Sequence, residues 1–125
     1  MTVVYDAGVL IGADRNDRNI WADHRARLER GLIPITTAPV VAQVSRSARQ
    51  VPLRLFLRGC RVEPFSGDQA HGVGALLAKT KTADVVDAHV AIVASSFQAE
   101  ILTSDPSDLK PLADRLRPRP HVRSV

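Results

Sequence analysis

The chain has 125 residues, of which 45% are hydrophobic and 24% charged, and it carries one cysteine and a net charge of +4. That length fits one domain over residues 1–125 with a genuine core. No apolar run approaches the roughly 20 residues of a membrane span, the N-terminal segment MTVVYDAGVLIGADR lacks basic residues ahead of its apolar run and so does not read as a signal peptide, and the lone Cys60 excludes an internal disulfide and fits a reducing cytoplasm.

In chain order, TVVY (residues 2–5) reads as a β-rich run ending at Asp6, with a helical AGVLIGA behind it. Residues 14–31 form a polar helix or helix pair, with Trp21, Ala22, Arg25, Leu28 and Leu32 near helical spacing and Gly31 as its stop. IPITT offers a second strand, and APVVAQVSRSAR a helix with Pro39 in its first turn. Pro52 opens a further helix that stops at Gly59, and CRVEPF supplies a third strand. Residues 68–79 repeat a helical pattern with Ala70, Val73, Leu76 and Leu77 inward. DVVDAHVAIVASSF is the most apolar helix, AEILTSD the fourth strand, DPSDLKPLADRL the last helix, and HVRSV a candidate edge strand. Strands thus alternate with helices, which predicts an α/β fold: a central, mainly parallel sheet of four to five strands flanked by helices.

In such sheets ligands bind outside the carboxyl ends of the strands, where the strand order reverses. Asp6 follows the first strand and Asp105 the fourth, while Asp84 and Asp87 open the apolar helix just before that fourth strand. If strands one and four are neighbours, these four carboxylates converge, with Asp108 one helical turn beyond Asp105. Capping is the competing explanation. Asp84 and Asp87 have capping-box spacing, as do Asp105 and Asp108 with Pro106 at the first helical position. Asp6 resists it, because it sits between two apolar runs where an unpaired carboxylate costs several kcal/mol or shifts its pKa. A cap is worth about 1 kcal/mol, whereas four carboxylates sharing one pocket repel strongly. A divalent cation such as Mg²⁺, a hard ion that takes oxygen ligands, resolves the conflict. Such a site suits phosphodiester hydrolysis.

Other chemistry lacks a signature. The chain contains no GxxxxGK[ST] loop, no GxGxxG after a strand, no CxxC and no HExxH. The four histidines are scattered, and His89, two residues past Asp87, faces another side of the helix. Of the 17 basic residues 14 are arginine, the better partner for planar bidentate contact with phosphate. RLRPRPH near the C-terminus reads equally as a solvated connection into the last strand or as a phosphate contact.

Four segments, VVYDAGVLIGA, TTAPVVAQVSR, TADVVDAHVAIVA and ILTSDPSDL, taken in this order and spacing, resemble the PIN-domain family, and specifically the VapC-type ribonuclease toxins of VapBC toxin–antitoxin pairs. The resemblance spans essentially the whole chain. It implies a parallel sheet between helices, Mg²⁺- or Mn²⁺-dependent endoribonuclease activity on cellular RNA, dimerisation, and neutralisation by a small VapB-like antitoxin. Asp6, Asp87 and Asp105 match the family's first, third and fourth acidic positions, with Asp108 as an acidic accessory. The second position, a glutamate on the helix after strand two, is matched by Gln43, whose neutral carbonyl oxygen adds no charge for a metal. Asp84, one turn before Asp87, is placed to restore that charge, and Arg46 and Arg49 are candidate phosphate-backbone contacts. The alternative reading is a catalytically weak or inactive PIN-like module that binds RNA or protein. A phosphoacceptor receiver-like domain fits less well, because no lysine follows a later strand in the expected place: Lys110 falls inside a helix, and Lys79 and Lys81 precede the acidic helix.

Overall fold

The computed structural model describes residues 1–125. Short β-branched runs form its strands: β1 (Val3–Tyr5), β2 (Ile35–Thr37), β3 (Arg61–Glu63), β4 (Glu100–Thr103) and β5 (Val122–Ser124). They make one all-parallel sheet in the order β3-β2-β1-β4-β5. Seven helices cover it: α1 (Ala7–Asp14), α2 (Arg18–Glu29), α3 (Ala38–Val44), α4 (Val51–Leu57), α5 (Gly67–Thr80), α6 (Val85–Ser96) and α7 (Pro106–Ala113). β1 and β2 are buried throughout, as central strands covered on both faces must be, whereas β3 and β5 are edges and carry Arg61 and Arg123 outward.

The strand order reverses at β1, which pairs with β2 on one side and β4 on the other. Val3, Val4 and Tyr5 lie opposite Glu100, Ile101 and Leu102. The sheet therefore places the carboxyl ends of the first and fourth strands side by side, the condition on which convergence of the carboxylates depends. The apolar character of α6 follows from its position: Ala88 to Ala91 and Val93 to Ser95 are all buried. It packs on α5 and α7 and against the sheet at β1 and β4. Fully buried side chains such as Leu10, Phe56 and Leu109 each contribute roughly 1.5–3 kcal/mol.

Three expectations need correction. In α2 the buried residue is His24, at 2% exposure, while Ala22, Arg25 and Leu28 are exposed. Helix α3 ends at Val44 rather than continuing to Arg49. The Gln50 amide caps that turn instead: Oε1 accepts from the backbone N–H groups of Arg46 (2.6 Å) and Ser47 (3.1 Å), and Nε2 donates to Asp14 Oδ2 (3.1 Å). In α5 Ala70 is exposed and Gln69 faces inward, 3.2 Å from His89 Nε2.

His24 is buried through aromatic packing that helical periodicity does not reveal. Its ring stacks on Phe56 with centroids 3.9 Å apart, and its Nδ1 lies 3.0 Å from the Tyr5 hydroxyl. Burial lowers the histidine pKa and pushes the phenol up to about 12, so the hydrogen bond joins two neutral groups. Gly59 makes room for the ring, since a Cβ there would lie 2.8 Å from His24 Nε2 and 2.9 Å from Leu28 Cδ1. Beside it, burial pushes the Cys60 thiol up to about 12, which fits a packed residue and not a nucleophile. No helix is long and apolar enough to cross a membrane.

Candidate active site

Asp6 is the first residue beyond β1 and only 6% exposed. Its backbone N–H donates to the Leu102 carbonyl at 3.0 Å, extending the β1–β4 ladder and fixing the direction in which the carboxylate leaves the sheet. Its Oδ2 accepts a 2.7 Å hydrogen bond from the hydroxyl of Thr103, itself fully buried at the end of β4. The same hydroxyl accepts the backbone N–H of Asp105 at 2.9 Å. One threonine thus links the carboxylate at the end of the first strand to the loop leaving the fourth. Close packing holds the two segments in place. A Cβ on Gly8 would collide with the Ser104 side chain, lying 2.7 Å from its Cβ and 3.3 Å from its backbone nitrogen.

Asp87 lies in the first turn of α6 and is half-buried. Its pKa is raised from 3.8 to about 7, first by burial, then by the negative charges of Asp84, Asp6 and Asp108, and last by a hydrogen bond with the Asp84 side chain. Every charge acting on it is acidic. Asp84 is the exposed N-cap of α6, and its Oδ1 accepts the backbone N–H of Asp87 at 2.9 Å. It is therefore a helix cap and a repulsive neighbour of Asp87 at once. Capping and charge separate by substitution. In chemical denaturation at about pH 5, where Asp87 is protonated and the repulsion is absent, Asp84→Asn retains the cap and leaves stability nearly unchanged, whereas Asp84→Ala loses about 1 kcal/mol.

The structure distributes the remaining candidates unevenly. Asp108, exposed in the first turn of α7, couples to Asp87 electrostatically, whereas Asp105 does not figure among the charges acting on it. Asp105 occupies the N-cap position of α7, but its side chain makes no capping hydrogen bond, so its exposed carboxylate stays free. Gln43 is exposed near the end of α3. Arg46 turns back on its own helix, with Nη1 donating to the carbonyls of Ala42 (3.3 Å) and Ser45 (2.9 Å). Arg49 is exposed in the same turn. His89 is fully buried on another side of α6, with its ring centroid 4.7 Å from that of Phe65, and burial lowers its pKa.

Sequence reasoning missed Thr103. The TSD triplet at the end of an apolar strand was its only signal, and a threonine there reads as an ordinary strand former.

No group of three or more His, Cys, Asp or Glu side chains is preassembled to hold a metal ion. The donor set is nonetheless oxygen-only and negatively charged, and Asp87 holds its proton up to about pH 7 because it is half-buried and its charged neighbours are all acidic. That chemistry fits Mg²⁺, which commonly takes one or two carboxylates and fills its remaining positions with water and phosphate.

No family model matches the chain, and no curated protein matches it. Among solved structures, a chain in the crystal structure of VapBC2 from Rickettsia felis bound to a DNA fragment from their promoter superposes with a TM-score of 0.72 at 16% sequence identity, covering 100% of this chain and 99% of that one. At that identity the likeness speaks to architecture, and with the β3-β2-β1-β4-β5 sheet it identifies the fold as PIN-like.

Proposed function

We propose that the chain is a divalent-metal-dependent endoribonuclease, the toxin component of a toxin–antitoxin pair acting in the cytoplasm. The observation that carries the catalytic part is a half-buried carboxyl, Asp87, set among Asp84, Asp6 and Asp108 at the switch point: burial first, and these acidic neighbours second, raise its pKa to about 7. Uncompensated carboxylates of this kind cost stability and mark functional sites. Full-length similarity to a chain of the VapBC2 complex supports the toxin part and a small VapB-like protein partner. A homodimer as the working assembly follows from the sequence resemblance to VapC-type toxins alone.

Asp6 and Asp87 would hold Mg²⁺ or Mn²⁺, with Asp84 and Asp108 adding negative charge and Asp105 reaching in from the rim. The bound ion would lower the pKa of a coordinated water and offset charge developing on the phosphodiester. The protein's own contribution is placement. Thr103 holds Asp6 by a buried hydrogen bond and restrains the backbone at Asp105. Asp84 orients the first turn of α6 through its cap. Asp87 gives up its proton when a cation enters, so loading becomes easier as pH rises through about 7.

The test is cleavage of total RNA with Mg²⁺ and with EDTA, by the wild type and by Asp6→Asn. Metal-dependent products that vanish in Asp6→Asn are expected. Asp84→Asn is expected to reduce cleavage nearly as much as Asp87→Asn, because it removes the charge that compensates for Gln43 while retaining the cap. A fully active Asp84→Asn protein would reduce Asp84 to a cap alone. Two observations favour a second reading, a non-catalytic RNA- or protein-binding module: Gln43 brings no charge, and no ligand cage is preformed. Absence of metal-dependent products across a range of RNAs would establish that reading.

A further inference from the structure

An RNA strand is a polyanion, and the carboxylate end of the sheet repels it. The charges that act on Asp87 are all acidic, and Arg46 is turned onto helix carbonyls. The opposite end of the sheet is cationic. Because every strand is parallel, the segments entering β1, β2, β4 and β5 all lie there. A cavity of about 330 Å³ beside Met1 is lined by Arg27 and Arg30 from the end of α2 and by Arg123 from β5. Across Met1 and Glu100 it adjoins a second of about 200 Å³, lined by Arg119 and His121. A third, of about 360 Å³, shares Arg119 and His121 with the second and adds Lys110.

The acids on this path do not cancel it. Glu100 is already held by Arg123 at 3.0 Å, with His121 at 3.8 Å, and Asp114 pairs with Arg119 at 3.6 Å with both side chains well exposed. Asp23 is the third acid. Five permanent cations (Arg27, Arg30, Lys110, Arg119 and Arg123) against three acids (Asp23, Glu100 and Asp114) leave a net +2, opposite in sign to the carboxylate end. Favourable interaction with helix C-termini explains Arg27 and Arg30. It does not explain Arg119 or Arg123, which belong to the loop before β5 and to β5 itself.

We propose that this continuous groove at the amino ends of the strands binds the phosphodiester backbone of single-stranded RNA, anchoring the strand at the end of the domain away from the carboxylates. The proposal rests on RNA being the substrate, and it gives the RLRPRPH segment a phosphate-binding role. Arginine suits that role through bidentate, planar contacts. It also makes cleavage depend on RNA length, since a strand must reach from one end of the domain to the other to be both held and cut.

The experiment measures binding of single-stranded RNAs of graded length by fluorescence anisotropy, in EDTA and on an Asp6→Asn background, so that cleavage is not read. Arg30→Gln/Arg119→Gln is compared with Arg46→Gln/Arg49→Gln, with thermal midpoints confirming that both fold. The groove pair is expected to weaken binding several-fold and to reduce the slope of log affinity against log salt by about 0.7 for each phosphate that is no longer neutralised. The α3–α4 pair is expected to leave both nearly unchanged. Unaltered affinity and slope in the groove pair would overturn the proposal. So would a loss confined to the α3–α4 pair, or binding to anionic phospholipid vesicles with none to RNA. Intact RNA binding with no metal-dependent cleavage would count against the nuclease and leave the groove standing.

Discussion

Replacing Asp87 by asparagine is expected to raise the thermal midpoint of the metal-free protein at pH 8 while abolishing RNA cleavage. The sign follows from the raised pKa. In the unfolded chain this carboxyl titrates near 3.8, and in the folded protein near 7. Between those values the folded state holds a proton that the unfolded state has lost, so stability falls as pH rises through the window and levels off above about 7. A shift of this size corresponds to at most about 4 kcal/mol, and solvent screening of a half-buried group reduces the expected effect to roughly 1–2 kcal/mol. For a chain of this length that is roughly 3–10 °C in thermal midpoint. Asp87→Asn removes the charge but leaves the Asp84 cap, which is made to the Asp87 backbone. Thermal scans in EDTA at about pH 4 and pH 8 should therefore show the variant and the wild type nearly equal at the lower pH, close to the unfolded pKa, and separated at the higher. Adding Mg²⁺ at pH 8 should stabilise the wild type and have little effect on the variant. If the two proteins melt together at pH 8, neither burial nor the neighbouring acids penalise the Asp87 charge, and no cation is needed to offset them.

The second large effect is expected at Thr103. Thr103→Val preserves shape and removes the hydroxyl that donates to Asp6 and accepts from the Asp105 backbone. It strands a nearly buried carboxylate oxygen and a backbone N–H, at about 1–3 kcal/mol each. A combined loss of about 2–4 kcal/mol is expected in urea denaturation, together with a fall in the rate of cleavage at saturating RNA as Asp105 is released. Thr103→Ser keeps the hydroxyl and gives up one methyl group, so it should recover most of the activity at a cost of about 1 kcal/mol. Equal behaviour of the valine and serine variants would show that the hydroxyl is not what organises the site.

The contrast between these two positions shows what sequence conveys. Asp6 and Asp87 are legible because a charge interrupts an apolar run, and only a special environment permits that. The strand and helix alternation is legible for the same reason, since burial on both faces of a parallel sheet leaves little freedom of composition. Thr103 belongs to a run that any strand would accept. Its hydroxyl acquires a role only when the register sets Tyr5 against Leu102 and brings Asp6 alongside it. His24 is hidden differently. Helical spacing puts Arg25 on the inner face, but stacking on Phe56 and the bond to Tyr5 turn the helix so that its neighbour is buried. The relation between Asp105 and Asp108 depends on how the start of α7 is set against α6, which spacing along the chain does not encode. The charge polarity of the domain also requires the fold, because its arginines come from the end of α2 and from residues 119–123, far apart in sequence.

The aromatic cluster behind β1 gives the protein a built-in spectroscopic reporter. Trp21 is the only tryptophan, its indole N–H donates to the Ala13 carbonyl at 3.0 Å, and its ring meets Phe56 and His24 edge-on. Emission excited at the red edge of the absorption band, where tyrosine does not contribute, therefore comes from one known place. That place joins α1, α2 and α4 and lies apart from the carboxylates. A change in its emission reports the packing of those helices, and a cation filling the acidic cluster without disturbing them leaves the signal constant.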